Sequence, residues 1–224
     1  MIRNVPGVVR DDRATQPIAT NLASADASWV IGLGASGGGP SVVAGVLRQF
    51  PANARVCVAL VQQLPAGFTH AFAGFLRARI LLRVVVADEP VPIERGLVVL
   101  APDNRHLVAS DHRYLMPSDA GPVLGCRPSM DVLLCSLARQ FGSRAAGVVL
   151  SGIGSDGVAG LWELRKQGGL TIAQSQASAL ARGMPQSAEH LDAAASLLEA
   201  EVIADTLLEA AGERRRPSFI DRGG

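Results

Sequence analysis

Residues 29–40 read Trp29-Val30-Ile31-Gly32-Leu33-Gly34-Ala35-Ser36-Gly37-Gly38-Gly39-Pro40. An apolar β-forming run enters a glycine-rich turn, and Pro40 suits the first turn of a helix, where no backbone N–H is needed. The same grammar returns where Ala146–Leu150 leads into Ser151-Gly152-Ile153-Gly154-Ser155-Asp156-Gly157, ahead of a helix-period segment at Val158–Gln167. Along the chain Trp29–Leu33 precedes Pro40–Phe50, Val56–Val61 precedes Thr69–Arg79, and Leu170–Ala173 follows the second turn. Short apolar runs alternating with helical stripes predict βαβ units, and strands this uniformly apolar predict helices on both faces. The expected fold class is α/β, a doubly wound and mostly parallel sheet.

Two helices carry clear stripes, Phe68, Phe72, Phe75 and Leu76 in one, and Leu133, Leu134, Leu137, Ala138 and Phe141 in the other. The stretch near residues 80–116 reads differently. Ile80–Ala87, Leu97–Ala101, His106–Ala109 and Tyr114–Met116 are short strands split by Pro90, Pro92, Gly96 and Asp103-Asn104, which predicts a small antiparallel or mixed insertion at the sheet edge. A last stripe through Val202, Ile203, Thr206, Leu207, Ala210 and Ala211 stops at Gly212. Residues 29–211 are thus expected to form one domain, with 1–28 a flexible arm and 212–224 a polar tail.

Composition narrows the function classes. The 224 residues are 48% hydrophobic and 18% charged, with 21 basic against 20 acidic residues, a net charge of +1 and only nine aromatics. That balance supplies neither a phosphate-neutralising excess nor stacking rings, so no nucleic-acid partner is expected. Cys57, Cys126 and Cys135 form no C-x-x-C pair, which argues against a disulfide framework or a zinc site and fits a reducing, cytoplasmic setting. No apolar run reaches the roughly 18 residues of a membrane span, and the start of the chain has no signal-peptide core. Neither membrane insertion nor a cofactor is expected.

The first turn admits more than one chemistry. Gly32, Gly34 and Gly37 fit G-x-G-x-x-G, a dinucleotide-binding pattern, but no acidic residue lies between Asp26 and Asp88 to hold a ribose. Gly34-Ala35-Ser36-Gly37-Gly38 also fits G-x-S-x-G, the elbow that lifts a nucleophilic serine above a sheet. A structural turn with an incidental serine is the third possibility. In a parallel sheet both turns would sit at strand carboxyl ends, so Asp156 is a candidate partner for Ser36, or else an N-cap for the helix after it.

Five blocks together point further: Ile31–Gly38; Leu64-Pro65-Ala66-Gly67-Phe68-Thr69; Arg127-Pro128-Ser129-Met130-Asp131-Val132-Leu133; Leu150–Gly157; and Gly183-Met184-Pro185. With them the chain resembles the catalytic domain of chemotaxis protein-glutamate methylesterases of the CheB type. The resemblance implies a serine hydrolase acting on glutamate methyl esters of chemoreceptors, with Ser36 as nucleophile and Asp156 as the acid that orients a histidine base. That histidine belongs just before Leu64-Pro65, where this chain has Gln63. Glutamine cannot take up the serine proton at neutral pH, so hydrolysis is expected to be lost or strongly reduced. The family also often has threonine after the nucleophile, where Gly37 stands here. The implied catalytic set is Ser36, Gln63 and Asp156.

Implied partners are chemoreceptor cytoplasmic helices or another chemosensory protein. The 28 residues before Trp29 are too few for the receiver domain of full-length family members, so a separate receiver protein is a further expected partner. Two alternatives stay open: a dinucleotide-binding domain, and an active serine esterase whose base is relocated to His70, His106 or His190. His106 reads as a core or turn histidine, and His190 as lying on a helix that leads away from the turns.

Overall fold

The computed structural model describes residue 27 and residues 29–213. The expected arm, apart from Ala27, and the tail beyond Glu213 lie outside the described residues. Chain order is β1 (Trp29–Ala35), α1 (Gly39–Leu47), β2 (Val56–Gln62), α2 (Thr69–Arg77), β3 (Arg83–Val86), β4 (Val91–Pro92), β5 (Leu97–Leu100), β6 (His106–Ser110) and β7 (Tyr114–Ser118). It continues with α3 (Met130–Phe141), β8 (Ala145–Val149), α4 (Val158–Lys166), β9 (Leu170–Gln174), α5 (Gly183–His190), β10 (Ser196–Leu198) and α6 (Ala200–Ala210).

Seven strands form one sheet in the order β10-β9-β8-β1-β2-β5-β3, with every pairing parallel. The expected α/β class is what the structure has. Strand β2 shows why its sequence does not alternate: Cys57, Ala59 and Val61 face a core shared with α3, α4 and α5, whereas Val56, Val58 and Leu60 face a core shared with α1, α2 and α6. Gly212 ends α6 as expected, with φ 77°.

The 80–116 region needs one correction. Strands β4, β7 and β6 do form a separate antiparallel sheet, and its β6 packs on α3. The runs expected at Ile80–Ala87 and Leu97–Ala101, however, become β3 and β5 of the main sheet, in parallel register with Arg83 and Cys57 both opposite Leu97. At four residues each, these strands carry too little periodicity to declare their sheet.

Gly32 and Gly34 lie inside β1 rather than in the turn. A Cβ at 34 would fall 2.4 Å from Met130 Sδ, and one at 32 would fall 2.5 Å from Leu134 Cδ2. Both glycines let α3 lie close on the strand, a packing role that removes them from a pyrophosphate-binding loop. From β1 the chain fills one side of the sheet through β2, β3 and β5, then returns to place β8, β9 and β10 on the other. Strand order therefore reverses between β1 and β8, the point where open α/β sheets place ligand crevices beyond the strand carboxyl ends. The turns at 36–38 and 151–157 leave from those two strands.

Candidate active site

The turn after β1 is closed by the Gly39 N–H donating to Ser36 O at 2.8 Å. Gly38, at φ 76° and ψ −4°, has the third-position conformation of a type II turn, which glycine adopts without strain. Ser36 is half-buried, its N–H donates to Ser151 O at 3.0 Å, and its Oγ has no hydrogen-bond partner among the described residues. Beside it, the Gln63 N–H donates to Ala35 O at 2.9 Å, continuing the ladder past the end of β2. The Gln63 Nε2 donates to Asp156 Oδ2 at 2.7 Å.

Asp156 is 4% exposed and accepts three further bonds, from Ser129 Oγ at 2.7 Å, Met130 N at 2.8 Å and Asp131 N at 3.1 Å. These donors belong to the start of α3, so Asp156 satisfies that helix N-terminus rather than the one that follows it in sequence. Asp131, from the first turn of α3, answers by accepting from Gly157 N at 2.9 Å and Gly160 N at 2.8 Å at the start of α4. Each carboxylate closes the other's helix, and negative charge suits both ends. The three residues singled out as the catalytic set thus meet at the switch point, Gln63 on Asp156 through its side chain and next to Ser36 through the backbone.

This constellation can be set beside known proteins. A model of the CheB methylesterase family matches residues 31–207. The chain belongs to that family. It is 41% identical over 181 residues to protein-glutamate methylesterase FrzG of Myxococcus xanthus, covering 80% of this chain and 54% of that one. It is also 36% identical over 219 residues to a protein-glutamate methylesterase/protein-glutamine glutaminase of Bordetella avium, covering 97% of this chain and 64% of that one. The CheB methylesterase catalytic domain of Thermotoga maritima superposes with a TM-score of 0.78 at 28% identity, over 81% of this chain and 98% of the other. The chain therefore spans little more than half to about two thirds of these two curated relatives.

In this CheB-family chain none of the four histidines bonds to Ser36, Gln63 or Asp156. His106 is fully buried, with Nδ1 accepting from Ser129 N at 3.1 Å and Nε2 facing Gly121 O at 3.0 Å. Those partners put its proton on Nε2 and leave no nitrogen free, so it is the structural histidine its sequence context suggested. His70 pairs with Asp88 at 3.3 Å on the surface, His190 ends α5, and His112 meets the Phe141 ring edge-on.

Residues outside the sequence-derived set complete the surroundings. Ser129 is a standard N-cap with an acid two residues on, a signature legible in Ser129-Met130-Asp131. Cys126 lies against Gln63. Burial raises its thiol pKa, the Asp156 charge adds to that, and a hydrogen bond with Gln63 opposes it, so the thiol stays protonated at neutral pH. A largely apolar cleft of about 370 Å³ is lined by Leu124, Asp131, Ser155, Val158, Trp162 and Leu191 among others.

Asp131 gives this site a pH dependence. Burial pushes its carboxyl above the ordinary aspartate value, the Gly160 bond pulls it back, and the Asp156 charge raises it again. An acid with a raised folded pKa contributes stability that is complete below its unfolded value of about 4 and is lost as pH rises through the folded value. Asp131→Asn keeps Oδ1 as acceptor for both glycine N–H groups and removes that loss. Urea unfolding from about pH 4 to pH 7 is expected to show the variant gaining on the parent as pH rises; parallel curves would refute the assignment.

Proposed function

We propose that this chain is a chemosensory protein acting on glutamate methyl esters of chemoreceptors, with ester hydrolysis lost or strongly reduced. In this reading Ser36 occupies the nucleophile position, Asp156 the orienting position, and Gln63 the position of the base. The 2.7 Å bond from Gln63 Nε2 to Asp156 carries the proposal. It commits one of the two amide N–H groups to the carboxylate, and the only acceptor the side chain can offer a serine hydroxyl is Oε1. An amide oxygen accepts a hydrogen bond but does not take the proton that serine must lose as it attacks the ester carbonyl. What remains is a Ser36 hydroxyl without a hydrogen-bond partner among the described residues, in the turn that leads into α1.

Chemoreceptor cytoplasmic helices are the proposed partners, with another chemosensory protein or a separate receiver protein as further ones, and the cytoplasm is the proposed location. No described helix is long and apolar enough to cross a membrane. The test is methanol release from membranes carrying methylated chemoreceptor, run beside a histidine-bearing CheB catalytic domain. Release by this chain is expected to match that of its own Ser36→Ala variant. A rate comparable to the histidine-bearing domain would sink the reading.

A further inference from the structure

Gln62, buried at 6% exposure beneath the Ser36 turn, holds the one buried side-chain oxygen or nitrogen without a hydrogen-bond partner among the described residues, its Oε1. Its Nε2 donates to Ser36 O at 2.9 Å and to Gln63 O at 3.2 Å. Turning the amide over would set Oε1 against these two carbonyls, so its orientation follows from them. A buried unpaired acceptor is unfavourable, and leucine would fill similar space without one. What the glutamine adds is its grip on the Ser36 carbonyl.

That grip has a geometric consequence. Ser36 O is held by Gln62 Nε2 and by the Gly39 N–H, while Gly37 O accepts from Ser151 Oγ at 2.7 Å. Ser151 is itself fixed, buried at 1% exposure, with its N–H on Gln174 Oε1 at 2.9 Å and its Oγ accepting from Ala181 N at 2.8 Å. Both peptide bonds of the turn are trans, so each N–H points opposite its carbonyl. With the carbonyls of Ser36 and Gly37 clamped inward, the N–H groups of Gly37 and Gly38 point away from the two clamps, and neither has a partner among the described residues.

We propose that Gln62, seconded by Ser151, is a positioning residue that fixes the Ser36–Gly37 peptide plane so that the Gly37 N–H is presented beside Ser36 as an oxyanion donor. The proposal rests on the reading of Ser36 as the nucleophile position, because the N–H after a nucleophilic serine serves this role in such elbows. Gln62 acts only through the peptide it holds.

The test has two arms. In a Gln63→His background, adding Gln62→Leu is expected to lower kcat for methanol release by about 10- to 100-fold with KM little changed, somewhat less than the loss of a whole oxyanion donor. Ser151→Ala should act in the same direction, and Ser151→Thr, which keeps the hydroxyl, should restore the rate. Unchanged kcat in the Gln62 variant, or a rise in KM alone, overturns the proposal. The second arm needs no catalysis: a crystal structure of Gln62→Leu with Gln63 unaltered should show the Ser36–Gly37 peptide turned, and an unmoved plane overturns the proposal. If Gln63→His releases no methanol, the functional reading falls while the second arm still decides the role of Gln62.

Discussion

Replacing Gln63 with histidine is expected to raise methanol release from methylated chemoreceptor by on the order of 10⁴, the low end of what loss of a triad member costs. The side chain at 63 already reaches Asp156 at 2.7 Å, so an imidazole there has its orienting acceptor in place. One ring nitrogen would donate to Asp156 and leave the other free to accept from the Ser36 hydroxyl, which has no competing partner among the described residues. With an ordinary pKa of about 6.5, the ring can accept the serine proton near neutrality and return it to the departing methoxide. The rate of Gln63→His should therefore fall at acid pH as the imidazole charges, whereas the unaltered chain has no such limb. A variant that folds with the same stability and still releases methanol at the parental rate would rule out Gln63 as the missing base.

Asp156→Ala is expected to destabilise the fold by about 3–5 kcal/mol, the cost of removing one partner from a buried charged network. Four donors lose their acceptor at once: Ser129 Oγ, the N–H groups of Met130 and Asp131, and Gln63 Nε2. Two of these are first-turn amides of α3 with no intrahelical acceptor, and each unsatisfied buried donor costs about 1–3 kcal/mol. Relief from burying the Asp156 charge beside Asp131 offsets part of this. Asp156→Asn should cost less, because one oxygen still accepts, although its amide nitrogen then faces donors. Denaturant unfolding measures both, and an Asp156→Ala variant within about 1 kcal/mol of the parent would show that α3 is capped without it.

Much of this architecture is legible in the chain. The Trp29–Leu33 and Val56–Val61 runs are long enough to declare parallel, doubly covered strands, although β1 continues through Gly32 and Gly34 to Ala35 and β2 to Gln62. Ser36 and Asp156 stand out because each sits in a glycine-rich turn, whereas Gln63 is marked only by the resemblance, which places a histidine just before Leu64-Pro65. What the sequence conceals is reciprocity across distance. Nothing local to Asp156 says that it closes α3 rather than α4, since donor and acceptor are 25 to 27 residues apart. Gln62 and Ser151 are hidden for a similar reason, as their importance lies in which carbonyls they touch after β1, β2 and β8 come together. The sheet membership of β3 and β5 was illegible because four residues of Arg83–Val86 or Leu97–Leu100 fit an edge hairpin as well as a parallel strand.

The exchange of caps between Asp131 and Asp156 bears on how a protein of this kind ages once selection for turnover relaxes. A carboxylate that a helix needs for its first turn is shielded from mutational drift, so the presence of Asp156 says nothing about whether the site still works. Position 36 has no such shelter. Its hydroxyl has no hydrogen-bond partner among the described residues, and alanine there is expected to fold equally well. Among related chains that lack the histidine, residue 36 is therefore expected to vary while the acid at 156 stays.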